Sequence, residues 1–177
     1  MAILRALKQT DQAAGSILKQ HNKQLRKAVT VHEGLLQTVQ RQVPPSWIDR
    51  NGHMHEPHYL DLMAQASTRF LEEVGVDDGY RSAGFTYFSV ESRLKYLREI
   101  LAGQNIKILT RVLGITEKTL RLLHQLHIED GTIAATCEAT LIHVDLNTRA
   151  SCTPSANVVT RLAAYAASYE SLKQTLD

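Results

Sequence analysis

The sequence EPHYLDLMAQASTRFLEEVG, residues 56–75, decides the fold expected for this 177-residue chain. Its apolar side chains recur mainly at spacings of three and four residues, which predicts a helix with a broad apolar face. They are Tyr59, Leu60, Met63, Ala64, Phe70, Leu71 and Val74. Pro57 suits the first turn of a helix and Gly75 suits its end, so we expect roughly 17 helical residues, about 25 Å in length.

Strand patterns lie on both sides of this helix. Before it, residues 34–43 alternate in part between apolar and polar side chains until Pro44 and Pro45, which cannot donate to a sheet ladder. After it come four segments with strand patterns, residues 85–97, 105–114, 120–128 and 132–144. Asp130-Gly131 is a strong hairpin signal. Because no helix separates these later strands, we expect an antiparallel sheet.

The predicted fold class is therefore α+β, with an antiparallel sheet wrapped around a long central helix, which is the outline of the hotdog fold. This domain spans residues 31–153. Residues 1–30 are predicted to be a helical N-terminal appendage, and residues 154–177 a C-terminal helix. The apolar seam of that last helix could cover its own sheet or a neighbour's. Open sheet edges favour a homodimer or a tetramer.

The composition excludes several classes of function. Twenty Lys and Arg against eighteen Asp and Glu give a net charge of +2, so no nucleic-acid or membrane partner is expected. No run approaches the ~20 apolar residues of a membrane span. The two cysteines, Cys137 and Cys152, have no paired spacing, which is typical of a cytoplasmic protein.

The densest group of reactive side chains lies in residues 47–59, and three interpretations of it are open. Asp49 could satisfy backbone donors in a turn. Asp49 could instead join His53, His55 and His58 around a metal, but their spacing matches no familiar ligand set and no metal is expected. Finally, Asp49 could be a catalytic carboxylate beside a helix N-terminus, whose free amides can hold an oxyanion.

This loop resembles the active-site loop of hotdog-fold acyl-CoA thioesterases of the 4-hydroxybenzoyl-CoA type. The resemblance is carried by Asp49-x-Asn51-Gly52-His53-Met54 and by Tyr59, ten residues after Asp49. Over about residues 37–152 the chain more closely resembles the betainyl-CoA thioesterases of bacterial carnitine degradation. The stretches that carry this second resemblance include Trp47-Ile48-Asp49, Gly75-Val76-Asp77, Tyr87-Phe88-Ser89-Val90-Glu91, His124 and His143-Val144-Asp145.

The N-terminal segment carries a further resemblance. Residues 3–26 are similar to the last helix of L-carnitine dehydrogenases, and some bacteria fuse dehydrogenase and thioesterase in one chain. The resemblance implies that this polypeptide is the C-terminal, thioesterase half of such a fusion, with a carnitine dehydrogenase domain as a partner. The sequence holds no Gly-x-Gly-x-x-Gly, so we expect no dinucleotide site. No cofactor is expected, because coenzyme A is part of the substrate.

The resemblance to the thioesterases implies four catalytic residues. Asp49 would attack the thioester carbonyl or activate a water for that attack. The oxyanion would rest on a backbone amide at the helix start, near Glu56. His53 would shape the loop or donate a hydrogen bond near the carbonyl. Glu91 would assist the water or counter the charge of a cationic substrate, and the alternative is that it is a buried hydrogen-bonding partner.

Three amides at the helix start are candidate donors to the oxyanion. They belong to His55, Glu56 and His58, since Pro57 has no N–H group. The choice among the three is open at this point.

The resemblance also implies a set of substrate-binding residues. Betaine carries a trimethylammonium group, and aromatic faces attract such a cation by about 0.5–2 kcal/mol each. Aromatic residues near the loop and on the following strand would form the cage for this cation, with Asn51 also contacting the substrate. These aromatic residues are Trp47, Tyr59, Tyr87, Phe88 and Tyr96.

The function expected from the sequence is hydrolysis of a short acyl-CoA, with betainyl-CoA converted to glycine betaine and CoA. The alternative is a non-catalytic acyl-CoA-binding or dimerisation domain of a larger dehydrogenase. A hotdog dehydratase is disfavoured, because such an enzyme needs a catalytic histidine and an acid that face each other across a dimer. The carboxylate at position 49 favours hydrolysis over both.

Overall fold

The computed structural model describes residues 31–32 and 35–176 of the chain. The strands of this part are β1 (Val31–His32), β2 (Leu35–Gln42), β3 (Phe85–Tyr96), β4 (Asn105–Ile115), β5 (Thr119–Ile128) and β6 (Ile133–Asp145). The helices are α1 (Glu56–Glu73), α2 (Asp78–Ser82) and α3 (Ala156–Leu176), with a 3-10 turn at Pro45–Trp47. The predicted appendage over residues 1–30, and with it the hypothesis of a remnant dehydrogenase helix, lies outside the described residues.

All six of these strands form one antiparallel sheet in the order β1-β2-β4-β5-β6-β3. The strand that precedes the helix pairs with β4, while β3, which follows the helix, crosses to the opposite edge and pairs with β6. The predicted hairpin between β5 and β6 is confirmed, since Gly131 has φ +87° and Thr132 N–H donates to Asp130 Oδ1 at 2.8 Å. The antiparallel hotdog sheet predicted from the sequence is therefore confirmed.

Helix α1 packs against one face of this sheet. The side chains that α1 buries there are Tyr59, Leu62, Met63, Ala66, Ser67, Phe70 and Leu71. Leu60 and Ala64, predicted on the same apolar face, are exposed instead. The reason is geometric, because consecutive helical residues point about 100° apart and Leu60 therefore turns away from the face that holds Tyr59. Gly75 ends the helix at φ +95°, a conformation that glycine adopts without a steric cost.

Alternate residues of the sheet face the helix or the opposite, outer surface. On β6, Cys137, Ala139 and Leu141 are buried on the helix side, while Glu138 and Thr140 between them are only partly buried. The register that pairs β3 with β6 then assigns each β3 side chain to one of these two faces. This assignment decides where several of the predicted site residues lie.

The C-terminal helix covers its own chain. Val158 and Leu162 of α3 are fully buried, and the ring of Tyr165 lies 5.3 Å from that of Phe70, near the C-terminal end of α1. The short helix α2 was not predicted, because five residues are too few to show a helical period; Asp77 caps it by accepting from Tyr80 N–H at 3.0 Å. Within the described residues, no helix combines the length and apolar character needed to cross a membrane.

Candidate active site

Residues 47–55 form a narrow hairpin that leads directly into α1. The amide of His55 donates to the carbonyl of Trp47 at 2.8 Å, and the amide of Asp49 donates to the carbonyl of His53 at 3.0 Å. Asp49 is thus paired with His53, which lies two residues before His55, the N-cap of α1.

The Asp49 carboxylate is fixed by a single neighbour, Asn51. The backbone amide of Asn51 donates to Oδ1 at 2.7 Å, and its side-chain Nδ2 donates to Oδ2 at 3.2 Å. His53 Nδ1 lies 3.9 Å from Oδ1. Burial raises the pKa of Asp49, but the two Asn51 hydrogen bonds and the charge of His53 outweigh it and hold the pKa below its ordinary value of 3.8. Asp49 is therefore ionised at neutral pH, with 19% of its side chain exposed.

Among the three candidate amides at the start of α1, the described residues leave one unused. His55 N–H is bound to the Trp47 carbonyl, and His58 N–H donates to the His55 carbonyl at 3.1 Å. Pro57 has no N–H, and no side chain caps the helix. Among the described residues, the Glu56 N–H has no acceptor, so it is the one of the three candidate donors that is free to bind an oxyanion.

The Glu56 side chain has its own partner on the far strand. Tyr96 donates its hydroxyl to Glu56 Oε1 at 3.1 Å, and the Tyr96 ring meets the buried Tyr59 ring edge-on at 5.1 Å. Burial and the Glu56 carboxylate raise the pKa of Tyr96 to about 12. Nearly half of Tyr96, 47%, is exposed. Glu56, Tyr59 and Tyr96, three of the predicted site residues, are thus brought together at this end of the helix.

Trp47 lies beside the same hairpin, but other groups already contact its ring. The guanidinium of Arg41 lies 4.6 Å from the ring centroid, and the His58 imidazole stacks on Trp47 with centroids 4.6 Å apart. A cation placed over the ring face that Arg41 covers would meet a like charge. This contact joins β2 to the loop and was not predicted, because sequence spacing gives no sign of it.

The three loop histidines have separate surroundings. His53 lies beside Asp49, His58 stacks on Trp47, and the ring of His55 meets that of His58 edge-on at 6.2 Å. Over residues 31–32 and 35–176, no three His, Cys, Asp or Glu side chains are grouped so that they could hold a metal ion.

The remaining predicted site residues lie away from the loop within one chain. Tyr87 is buried at the other end of β3, about 30 Å along the strand from Tyr96, with its ring 5.0 Å from that of His143. Phe88 and Glu91 pair with β6 residues that face the outer surface. There Glu91 lines a shallow hollow and lies 3.5 Å from Arg93.

Two buried histidines that share in the family resemblance serve the packing of the fold. His124 is hydrogen-bonded through Nδ1 to the Thr110 hydroxyl at 2.8 Å and through Nε2 to the Ser67 hydroxyl at 2.9 Å. Burial lowers the pKa of His124 to about 4. His143 is bound to the Tyr80 hydroxyl and to the Cys152 carbonyl, both at 2.9 Å. All ring nitrogens of the two histidines therefore have partners within the fold.

The fold and the loop together define a class of protein. A hotdog sheet encloses a helix whose first amide is free, and an ionised carboxylate precedes that helix in a hairpin. A carboxylate and an oxyanion donor are the groups that acyl transfer from a thioester to water requires. The fold and the loop are therefore those expected of a hotdog-fold thioesterase.

Comparisons with known proteins agree with this class. Residues 43–162 match the Thioesterase-like superfamily, and the chain belongs to this family. It is 31% identical to the betainyl-CoA thioesterase of Pseudomonas aeruginosa over 140 residues, which cover 78% of this chain and 88% of that protein. In structure it is similar to a Staphylococcus aureus protein solved in complex with CoA, with a TM-score of 0.72, 27% identity, and coverage of 80% of this chain and 87% of the other.

A second kind of relative is much longer. The chain is 36% identical, over 170 residues, to the L-carnitine dehydrogenase/betainyl-CoA thioesterase of Ruegeria pomeroyi. That similarity covers 92% of this chain and 34% of the relative, so the chain spans about a third of the fused protein's length.

Proposed function

We propose that this chain is a thioesterase that hydrolyses betainyl-CoA to glycine betaine and CoA. The observation that carries the proposal is the pairing of the ionised Asp49 carboxylate with the free Glu56 amide in one short segment. The substrate is suggested by the relatives from Pseudomonas aeruginosa and Ruegeria pomeroyi, which bear that activity in their names.

Two versions of the chemical step fit this geometry. As a general base, Asp49 takes a proton from a water whose oxygen bonds to the thioester carbon. As a nucleophile, Asp49 bonds to that carbon itself, and water then cleaves the resulting anhydride. In both versions the carbonyl oxygen becomes an oxyanion that accepts from the Glu56 N–H. Collapse of this oxyanion breaks the C–S bond, and CoA leaves as a thiolate, which needs no strong acid. In the nucleophilic version this departure forms the anhydride, and water cleaves the anhydride afterwards.

The proposal includes a homodimer. Strand β3 is 12 residues long and lies at one edge of the sheet, and in the described part of the chain its second edge has no neighbour. Phe88 and Val90 are 40% and 60% exposed, so β3 presents apolar side chains as well as unpaired backbone groups. Pairing of two β3 edges would satisfy both, and dimers could pair further into tetramers. Light scattering tests this, since a mass of about 20 kDa, that of one chain, would contradict it.

The proposal places the protein in the cytoplasm with a carnitine dehydrogenase domain as its partner. Both cysteines, Cys137 and Cys152, are free thiols, which suits the reducing cytoplasm. A carnitine dehydrogenase domain is the proposed partner, because fused relatives combine the two activities in their names. No resident cofactor and no nucleic-acid or membrane partner is proposed, and coenzyme A enters as part of the substrate.

The test is release of free thiol from betainyl-CoA, acetyl-CoA and butyryl-CoA by the wild type and by Asp49→Asn. We expect rapid release from betainyl-CoA that is lost in the variant. Equal rates on all three esters would support thioester hydrolysis but contradict a specificity for betainyl-CoA. No release from any ester would reject hydrolysis and favour an acyl-CoA-binding or dimerisation domain.

A further inference from the structure

The position of the positive charge in betainyl-CoA restricts what can recognise it. The quaternary nitrogen is two bonds from the thioester carbon, a distance of about 2.5 Å. A group that senses this charge must therefore lie next to the oxyanion donor. The Glu56 N–H is that donor in the proposed function, so the group must be a charged side chain around the first turn of α1.

Glu56 itself meets this requirement. Its amide and its carboxylate belong to one residue, so they are separated by no more than the length of one side chain at the helix start. The carboxylate is exposed and keeps one defined partner, the Tyr96 hydroxyl at 3.1 Å. That hydrogen bond occupies one lone pair of Oε1, so the negative charge remains available to a cation. Tyr96, which is half exposed, adds an aromatic surface at the same place.

The other candidates fit the cation less well. Trp47 already carries the Arg41 guanidinium at 4.6 Å, which repels a second positive charge on that face. Tyr87 is buried at the opposite end of β3, and Glu91 lies on the outer face beside Arg93. Asp49 is also negative, but both of its oxygens are held by Asn51 and it performs the chemistry in either version of the mechanism.

We propose that the Glu56 carboxylate, positioned by the Tyr96 hydroxyl, selects cationic acyl groups by acting as their counter-charge. This inference rests on the proposed function and adds the residue that distinguishes among substrates. A carboxylate beside a developing oxyanion disfavours the transition state of a neutral acyl group through like-charge repulsion. A substrate that brings its own cation between the two negative groups removes that penalty. Glu56 thus both attracts betaine and rejects uncharged acyl groups of the same shape.

The experiment compares betainyl-CoA with 3,3-dimethylbutanoyl-CoA, in which carbon replaces the quaternary nitrogen and the shape is retained. For each ester, kcat/KM is measured with the wild type, Glu56→Gln, Tyr96→Phe and Asp61→Asn. Gln at position 56 keeps an acceptor for Tyr96 and differs from Glu in charge alone. Asp61→Asn is the matched control, because it removes an exposed negative charge from the same helix farther from its start.

We expect the wild type to prefer betainyl-CoA, and Glu56→Gln to lower the betainyl-to-dimethylbutanoyl ratio of kcat/KM by about tenfold or more. Part of that change should be a gain on the neutral ester. Tyr96→Phe should lower the ratio less, chiefly by raising KM for betainyl-CoA, and Asp61→Asn should stay within about twofold. An unchanged ratio in Glu56→Gln, or an equal fall of the ratio in Asp61→Asn, would overturn the inference about Glu56 and leave the proposed thioesterase function unaffected. If the wild type hydrolysed neither ester, the proposed function itself would fail and the inference with it.

Discussion

The chain contains two turns of the same local design at different places in the fold. In one, Asp49 Oδ1 accepts from the amide of Asn51 at 2.7 Å, and in the other, Asp145 Oδ1 accepts from the amide of Asn147, also at 2.7 Å. Both have the pattern Asp-x-Asn, in which a carboxylate satisfies a backbone donor two residues later. The two turns share this backbone bond and differ in the second one: Asp49 Oδ2 accepts from the Asn51 side chain at 3.2 Å, and Asp145 Oδ1 accepts from the amide of Thr148 at 3.3 Å.

Their surroundings differ. Asp49 stands before α1, where the Glu56 amide has no acceptor within the described residues. Asp145 ends β6, where its own amide donates to the Ala150 carbonyl at 3.0 Å and the neighbouring His143 has partners on both nitrogens. The turn fixes a carboxylate in both places, and only Asp49 precedes a helix whose first amide is without an acceptor among the described residues. The structural and the catalytic interpretations of Asp49 are therefore compatible.

The largest expected effect separates the two aspartates directly. Asp49→Asn and Asp145→Asn each keep an oxygen that can accept from the turn amide, so both variants should fold with little change in melting temperature. Loss of a general base or nucleophile should lower the kcat of thiol release by roughly 10³-fold in Asp49→Asn. Asp145→Asn should remain close to the wild type. Equal losses in the two variants, or an active Asp49→Asn, would show that position 49 has only the structural role.

Much of the fold could be predicted because it depends on local patterns. The period of α1, the strand segments after it and the Asp130-Gly131 turn are each written in fewer than about 20 neighbouring residues. The order of the strands could not be predicted from such patterns, because the pairing of β3 with β6 depends on packing between distant segments. The error at Leu60 has the same origin, because a broad apolar stripe does not reveal which of its edges meets the sheet.

The candidate site divides in a similar way. Asp49 and Asn51 are neighbours in the sequence, so their turn could be anticipated from spacing. The hydrogen bond between Tyr96 and Glu56 joins residues 40 positions apart, and no pattern in either segment predicts it. The five aromatic residues predicted to bind the cation were grouped by proximity in sequence, yet a strand places alternate side chains on opposite faces and its ends about 30 Å apart. That is why Tyr96 lies at the helix start and Tyr87 does not.

The smallest expected effect tests how Asp49 is kept ionised. Asn51→Ala removes the Nδ2 donor to Oδ2 but retains the backbone amide of the turn. Since that side-chain bond lowers the pKa of Asp49, its loss should raise the pKa toward the ordinary value of 3.8. Hydrolysis needs the carboxylate ionised, so the acid limb of the kcat/KM profile should move to higher pH.

Asn147→Ala is the matched control for this measurement, because it shortens the corresponding residue of the second turn and leaves the backbone bond to Asp145 intact. Its acid limb should coincide with that of the wild type. A shift of the limb in both variants would point to a general loss of stability in acid, and a limb unmoved in Asn51→Ala would mean that the backbone amide and His53 suffice to hold the charge. Only a shift confined to Asn51→Ala fits a carboxylate tuned for chemistry within an ordinary turn.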